Sequence, residues 1–212
     1  AQFDFSFSGQ YIFEWTVNNG SCSSDSDQIT LNVGIPPTVA TVGTDQTICL
    51  SNSATLTGNT LVNPAVETGY WTVLPGAPNT PTFVDINAPT TDVNNLVSGS
   101  YTFRWTIAGD ANCPTTFADL LVDVFAPAGA DETLNFCEVD NFLLEATFGA
   151  TGTWSQTAGV DIATIVQNPT NSNVAEITIT PGNSYEFTFT TNYVGCSADT
   201  KVVTVTSSTA PS

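Results

Sequence analysis

Five cysteines and twenty carboxylates are the side chains of this chain that could do chemistry, and no histidine accompanies them. Without histidine the commonest general base is missing, and with it the usual serine and cysteine catalytic pairs. Catalysis would rest on carboxylates alone. A glycosidase needs two of these about 5 to 9.5 Å apart in a cleft, and no spacing here pairs them, so no catalytic residue and no enzymatic activity is assigned. Zinc fails on the same inventory, because no Cys-x-x-Cys occurs and no histidine can complete a ligand set. Calcium at joints between domains would use oxygens such as those of Asp25, Asp27, Asp45 and Asp131, with six to eight ligands at about 2.3 to 2.6 Å. The competing reading is that these acids cap turns and keep the chain soluble by self-repulsion. No other metal or cofactor is expected.

The elements that position these residues are repeated. Gly9-Gln10-Tyr11-Ile12-Phe13-Glu14-Trp15-Thr16 returns as Gly99-Ser100-Tyr101-Thr102-Phe103-Arg104-Trp105-Thr106, and in weaker form as Tyr185-Glu186-Phe187-Thr188-Phe189-Thr190. A cysteine follows each tyrosine by 11, 12 and 11 residues: Cys22, Cys113 and Cys196. Val42-Gly43-Thr44-Asp45-Gln46-Thr47-Ile48-Cys49 likewise matches Ala128-Gly129-Ala130-Asp131-Glu132-Thr133-Leu134, with Cys137 three residues on. The array divides at Gly34-Ile35-Pro36-Pro37 and Phe125-Ala126-Pro127. This predicts the C-terminal half of one module over 1–35 and complete modules over 36–126 and 127–212, with short proline-stiffened joints that make a rod. The chain is expected to be a slice of a longer polypeptide.

Inside each module the period is two. Tyr101, Phe103, Trp105 and Ile107 alternate with Thr102, Arg104 and Thr106, as half-buried strands do. Gly, Pro, Asn and Ser turns interrupt the strand-like runs, and no helical stripe is sustained, which predicts an all-β chain of tandem immunoglobulin-like β-sandwiches with about seven strands each. Tyr11, Tyr101 and Tyr185 are expected at a corner where the tyrosine hydroxyl bonds back to the crossing chain. Trp71 and Trp154 are expected as core anchors. Arg104 is expected on the outer face in an ion pair or stack, and Asn18-Asn19-Gly20-Ser21 as a hairpin turn rather than a glycosylation site.

The cysteines follow from the repeat. Each complete module holds one near its start and one after its tyrosine strand, which predicts the intramodule disulfides Cys49–Cys113 and Cys137–Cys196. Cys22 is expected to be unpaired because its partner belongs to the truncated half. Disulfides place the chain in an oxidising, extracytoplasmic setting.

A formal charge of −18, with Arg104 and Lys201 the only cations, excludes nucleic acid as a partner and disfavours an anionic membrane surface. No apolar run approaches the ~20 residues of a spanning helix, so membrane insertion is not expected. Hydrophobic residues at 41% of the chain favour packed cores over disorder.

Gly-x-Tyr-x-Phe-x-Trp-Thr followed by Asn-Gly-Ser-Cys (Gly9 to Cys22) or by Gly109-Asp110-Ala111-Asn112-Cys113 resembles the PKD-type immunoglobulin-like repeat. The Gly43 to Cys49 entrance, the Thr/Asn-rich loops and the Asn-x-Pro-Thr segments are similar to PKD-like repeats of very large Bacteroidota surface proteins, including the SprB-type gliding-motility adhesins. The Trp-x-Phe-Gly-Asp-Gly element of many PKD domains is replaced by Gly69-Tyr70-Trp71-Thr72-Val73. The resemblance implies type 9 secretion, attachment at the outer membrane, and a stalk role in adhesion or gliding. Its implied partners are neighbouring repeats of the same polypeptide, the envelope's secretion and motility machinery, and surface glycans. The alternative is a set of carbohydrate-binding accessory modules of a secreted polysaccharide-degrading enzyme.

Overall fold

The computed structural model describes residues 2–18, 20–111 and 113–209. Asn19 and Asn112, which the hairpin and cysteine motifs include, and residues 210–212 lie outside the described residues. The chain is all-β and falls into three groups of strands. An N-terminal hairpin pairs β1 (Gly9–Val17) with β2 (Asp25–Val33). The middle unit runs β3 (Gln46–Cys49), β4 (Ala54–Thr57), β5 (Thr68–Val73), β6 (Thr82–Phe83), β7 (Thr90–Asn94), β8 (Gly99–Ala108) and β9 (Thr116–Phe125). The third unit repeats this as β10 (Glu132–Cys137), β11 (Asn141–Glu145), β12 (Gly152–Gly159), β13 (Thr164–Gln167), β14 (Val174–Thr178), β15 (Ser184–Thr191) and β16 (Thr200–Ser208).

Each unit is a sandwich of a four-stranded and a three-stranded sheet. The orders are β3-β9-β8-β5 over β4-β7-β6 in the middle unit and β10-β16-β15-β12 over β11-β14-β13 in the third. The alternation seen in sequence decides which residues face inward. Tyr101, Phe103, Trp105 and Ile107 of β8 are fully buried with Trp71 of β5, and Leu56 and Val93 cover them from the other sheet. Tyr185, Phe187 and Phe189 of β15 do the same with Trp154, Ala175 and Ile177. Burial of one large apolar side chain is worth roughly 1.5 to 3 kcal/mol, and a slip of one residue would turn the whole set outward. The pattern therefore sets the register as well as the fold.

Two features fix the corners and the edge. The Tyr101 hydroxyl accepts the Val97 amide at 2.9 Å and bonds the Asn79 side-chain oxygen, while the Tyr185 hydroxyl accepts from the Thr180 amide at 3.1 Å and donates to the Thr180 carbonyl at 3.0 Å. The entrance strands β3 and β10 run parallel to the last strands β9 and β16. Asp45 and Asp131 lock them there by accepting the amides of Leu121 (3.0 Å) and Val202 (2.8 Å).

The parallel entrance strand overturns the expected disulfides. Cys49 closes β3 level with Phe125, the last residue of β9, whereas Cys113 precedes Thr116, its first. Nine residues of strand, about 30 Å at ~3.3 Å per residue, separate the two ends, far beyond the Cα separation of roughly 4.4 to 6.8 Å that a disulfide spans. Cys137, level with Ser208, is parted from Cys196 in the same way. Instead Cys49 bonds Cys196 of the next unit, with Cα atoms 5.7 Å apart. Cys113 and Cys137 are free thiols, as is the exposed Cys22.

In the hairpin, Tyr11 faces Leu31 and Phe13 faces Ile29, the positions that form the core of the other two units. Phe3 and Phe5 lie across this face, with ring centroids 4.6 Å from Phe13 and 4.7 Å from Tyr11. Trp15 nevertheless remains 74% exposed and Ile29 67%.

Candidate functional site: the clasped joint

The place where distant residues converge is the joint between the middle and third units. β3 and β9 end side by side and present Cys49 and Phe125 there. The turn between β15 and β16 reaches them from the next unit with Tyr193, Gly195 and Cys196. The Cys49–Cys196 bond covalently links the two, the Phe125 and Tyr193 rings stack at 4.5 Å, and Ser98 donates to the Gly149 carbonyl at 3.2 Å. Tyr193 is itself held from below, its hydroxyl accepting the Thr151 amide at 2.8 Å. A backbone φ of +88° at Gly195 brings the turn past Thr47, and glycine adopts that left-handed conformation without the steric cost of a side chain. Beside the clasp an open groove of about 470 Å³ is lined by Leu50, Leu96, Val97 and Pro127, with Phe148 across it.

The first joint has its own anchor. The Glu67 carboxylate, almost wholly buried, accepts the Thr38 amide at 2.8 Å, the Thr38 hydroxyl at 2.9 Å and the Asn63 amide at 3.1 Å. Burial by itself would raise its pKa, but the hydrogen bonds from Asn63 and Thr38 outweigh that and hold the carboxyl below the usual glutamate range. The segment after Pro36-Pro37 is thereby tied to the start of β5. Nothing in the spacing of Thr38 and Glu67 pointed to this pair, since their contact depends on how the segment after Pro37 packs on the start of β5 within the middle unit.

The outer face of the four-stranded sheet carries the remaining polar chemistry. Arg104 grips Asp119 with two bonds of 2.7 and 2.8 Å and lies 3.8 Å over the Phe117 ring. The Arg104 hydrogen bond lowers the Asp119 pKa, and Asp119 raises that of Arg104 in return. In the third unit Lys201 bonds Glu132 at 3.1 Å and the Glu145 carbonyl at 2.8 Å.

The carboxylates considered for calcium are dispersed. Asp45 and Asp131 sit on different units and are engaged by strand amides, Asp27 caps the Gln28 amide at 2.9 Å, and Asp25 begins β2. Among the described residues no group of three or more Cys, Asp or Glu side chains is placed to hold a metal ion. Tyr11, in the hairpin, donates to the Phe7 carbonyl at 2.9 Å.

No family model and no curated protein matches the chain. Among solved structures it is similar to a three-domain immunoglobulin fragment of titin, 17% identical over 94% of this chain and 74% of that one, with a TM-score of 0.42. It is also similar to the insect immune protein hemolin, 12% identical over 92% of this chain and 56% of hemolin, at 0.46. An endo-fucoidan hydrolase of glycoside hydrolase family 107 gives 15% identity over 97% of this chain at 0.32, and the chain spans 35% of that structure's length. The immunoglobulin-like assignment rests on the sheet order and the two cores described above.

Proposed function

We propose that this chain is a stalk segment of a large secreted surface adhesin, built of PKD-like modules and resembling the SprB-type gliding adhesins of Bacteroidota. On this reading it is exported by type 9 secretion and held at the outer membrane, and its role is non-catalytic. The carrying observation is the Cys49–Cys196 bond between consecutive units. Tension applied along the chain enters the middle unit through β3, crosses the disulfide to Cys196 and leaves through β16. The 147-residue separation between the two cysteines is thereby taken out of the force path. A net charge of −18 supports the same role, because self-repulsion keeps a long array soluble and extended.

Single-molecule pulling from the two chain ends tests this. With the clasp intact, residues between Cys49 and Cys196 should not extend; after reduction, unfolding should release on the order of 500 Å of contour at ~3.5 Å per residue. Equal extension with and without reductant would refute the mechanical reading. Labelling of intact cells with antibody to this chain tests the location, and signal appearing only after lysis would refute it.

A further inference from the structure

Cys113 and Cys137 are the repeat counterparts of Cys196 and Cys49, and the structure places each at the corresponding point of its own unit. Leu31, Val122 and Val205 are equivalent because they pair with Tyr11, Tyr101 and Tyr185. Three residues on, Gly34, Phe125 and Ser208 are therefore equivalent as well. Cys49 lies level with Phe125 and Cys137 with Ser208, although β10 is two residues longer than β3. The extra length is absorbed where β10 begins, and both cysteines finish at the same rung.

The hairpin cysteines are matched too. At the second joint the turn carrying Cys196 reaches Cys49, which lies beside Phe125. At the first joint the turn carrying Cys113 packs against Gly34, the counterpart of Phe125; a Cβ added there would lie 2.8 Å from the Cys113 sulfur and 3.4 Å from the Asp110 side chain. Among the described residues no strand pairs with the second edge of β2, which continues down to this point, and in the other two units the equivalent edge is covered by a parallel entrance strand ending in cysteine. The exposed Ile29 and Leu31 belong to the face that such a unit buries.

We infer that Cys113 and Cys137 are two open halves of the same clasp. Cys113 takes the terminal cysteine of an entrance strand that pairs parallel with β2 in the register of β3 on β9. Cys137 takes the hairpin cysteine of a further module of this repeat type seated at the end of β16. In each case two thiols lose two protons and two electrons to a disulfide-form oxidant, which leaves as two thiols, and one S–S bond forms. Repeated along an array, every segment between an entrance cysteine and its unit's hairpin cysteine lies inside a disulfide-closed loop. This rests on the array reading proposed above and is independent of what the array adheres to.

The test is a disulfide map of the native protein, alkylated on the cells that make it before extraction and digested without reduction. The expected result is Cys113 joined to a cysteine that ends an entrance strand of the Gly43 to Cys49 type, and Cys137 joined to a cysteine following a Tyr-x-Phe strand, beside the Cys49–Cys196 pair. Cys113→Ser should convert one entrance-strand cysteine completely from the disulfide to the alkylated form and leave Cys49–Cys196 unchanged. Recovery of Cys113 or Cys137 as alkylated thiols, or bonded within their own units, overturns the inference. Recovery of them as free thiols beside an intact Cys49–Cys196 bond overturns it while sparing the mechanical reading.

Discussion

Tyr101 and Tyr185 show how one hydroxyl organises a corner. Each is buried among the aromatic residues of its own strand, and each satisfies an amide on the crossing segment that would otherwise be orphaned. Tyr101→Phe and Tyr185→Phe should each destabilise their unit by about 1 to 2 kcal/mol in urea unfolding, the usual cost of stranding a buried donor. Tyr11→Phe should change little, because its bond to Phe7 is exposed to water. Glu67 makes a prediction in pH. Its folded pKa lies below the unfolded value of about 4.3, so its hydrogen bonds stabilise fully above that range and are lost as pH falls through the lowered value. The difference in urea midpoint between the parent and Glu67→Gln should shrink between pH 7 and pH 3; a constant difference would show that the charge is irrelevant. The tyrosines were legible in sequence because they recur, whereas Glu67 was not, because its partner Thr38 lies 29 residues earlier in the same unit and meets it only in the folded structure.

At the scale of the strand, the glycines two residues before Trp71 and Trp154 explain why the repeat keeps them. A Cβ on Gly69 would meet the Trp105 ring at 2.5 Å, and one on Gly152 would meet the Thr190 carbonyl oxygen at 2.2 Å and Phe189 at 2.6 Å. The ring-filled layer leaves no room. Gly152→Ala, pressed against backbone, should cost roughly 2 to 3 kcal/mol in thermal or urea unfolding of the third unit, and retention of full stability would contradict the packing described. Period-two alternation revealed β8 and β15, and the Gly-x-Trp pairs located β5 and β12. Alternation carries no information about which strand a given edge strand joins. The parallel pairing of β3 with β9 was hidden for that reason, and the expected disulfides failed with it.

For the whole molecule, the clasp holds two units that each have their own core. Cys49→Ser combined with Cys196→Ser should lower the unfolding midpoints, a loss of about 2 to 4 kcal/mol in all, because the 147-residue loop the bond closes contains most of both units and its removal frees their unfolded chains. It should broaden the distance distribution between labels placed on the two units, measured by fluorescence energy transfer. Small-angle scattering of the parent chain should give a radius of gyration well above the ~17 Å expected for a compact chain of this length. A value near that figure would exclude an extended array.

Composition, alternation and repetition were sufficient to establish an all-β tandem of sandwiches, because burial of apolar faces is a local rule that each strand states for itself. They also identified the cysteines as the chain's distinctive chemistry. Which cysteine meets which depended on strand direction and on the stacking of one unit upon the next. Those are distances between segments far apart in sequence, and only the tertiary structure could decide that the clasp spans a joint instead of closing a domain.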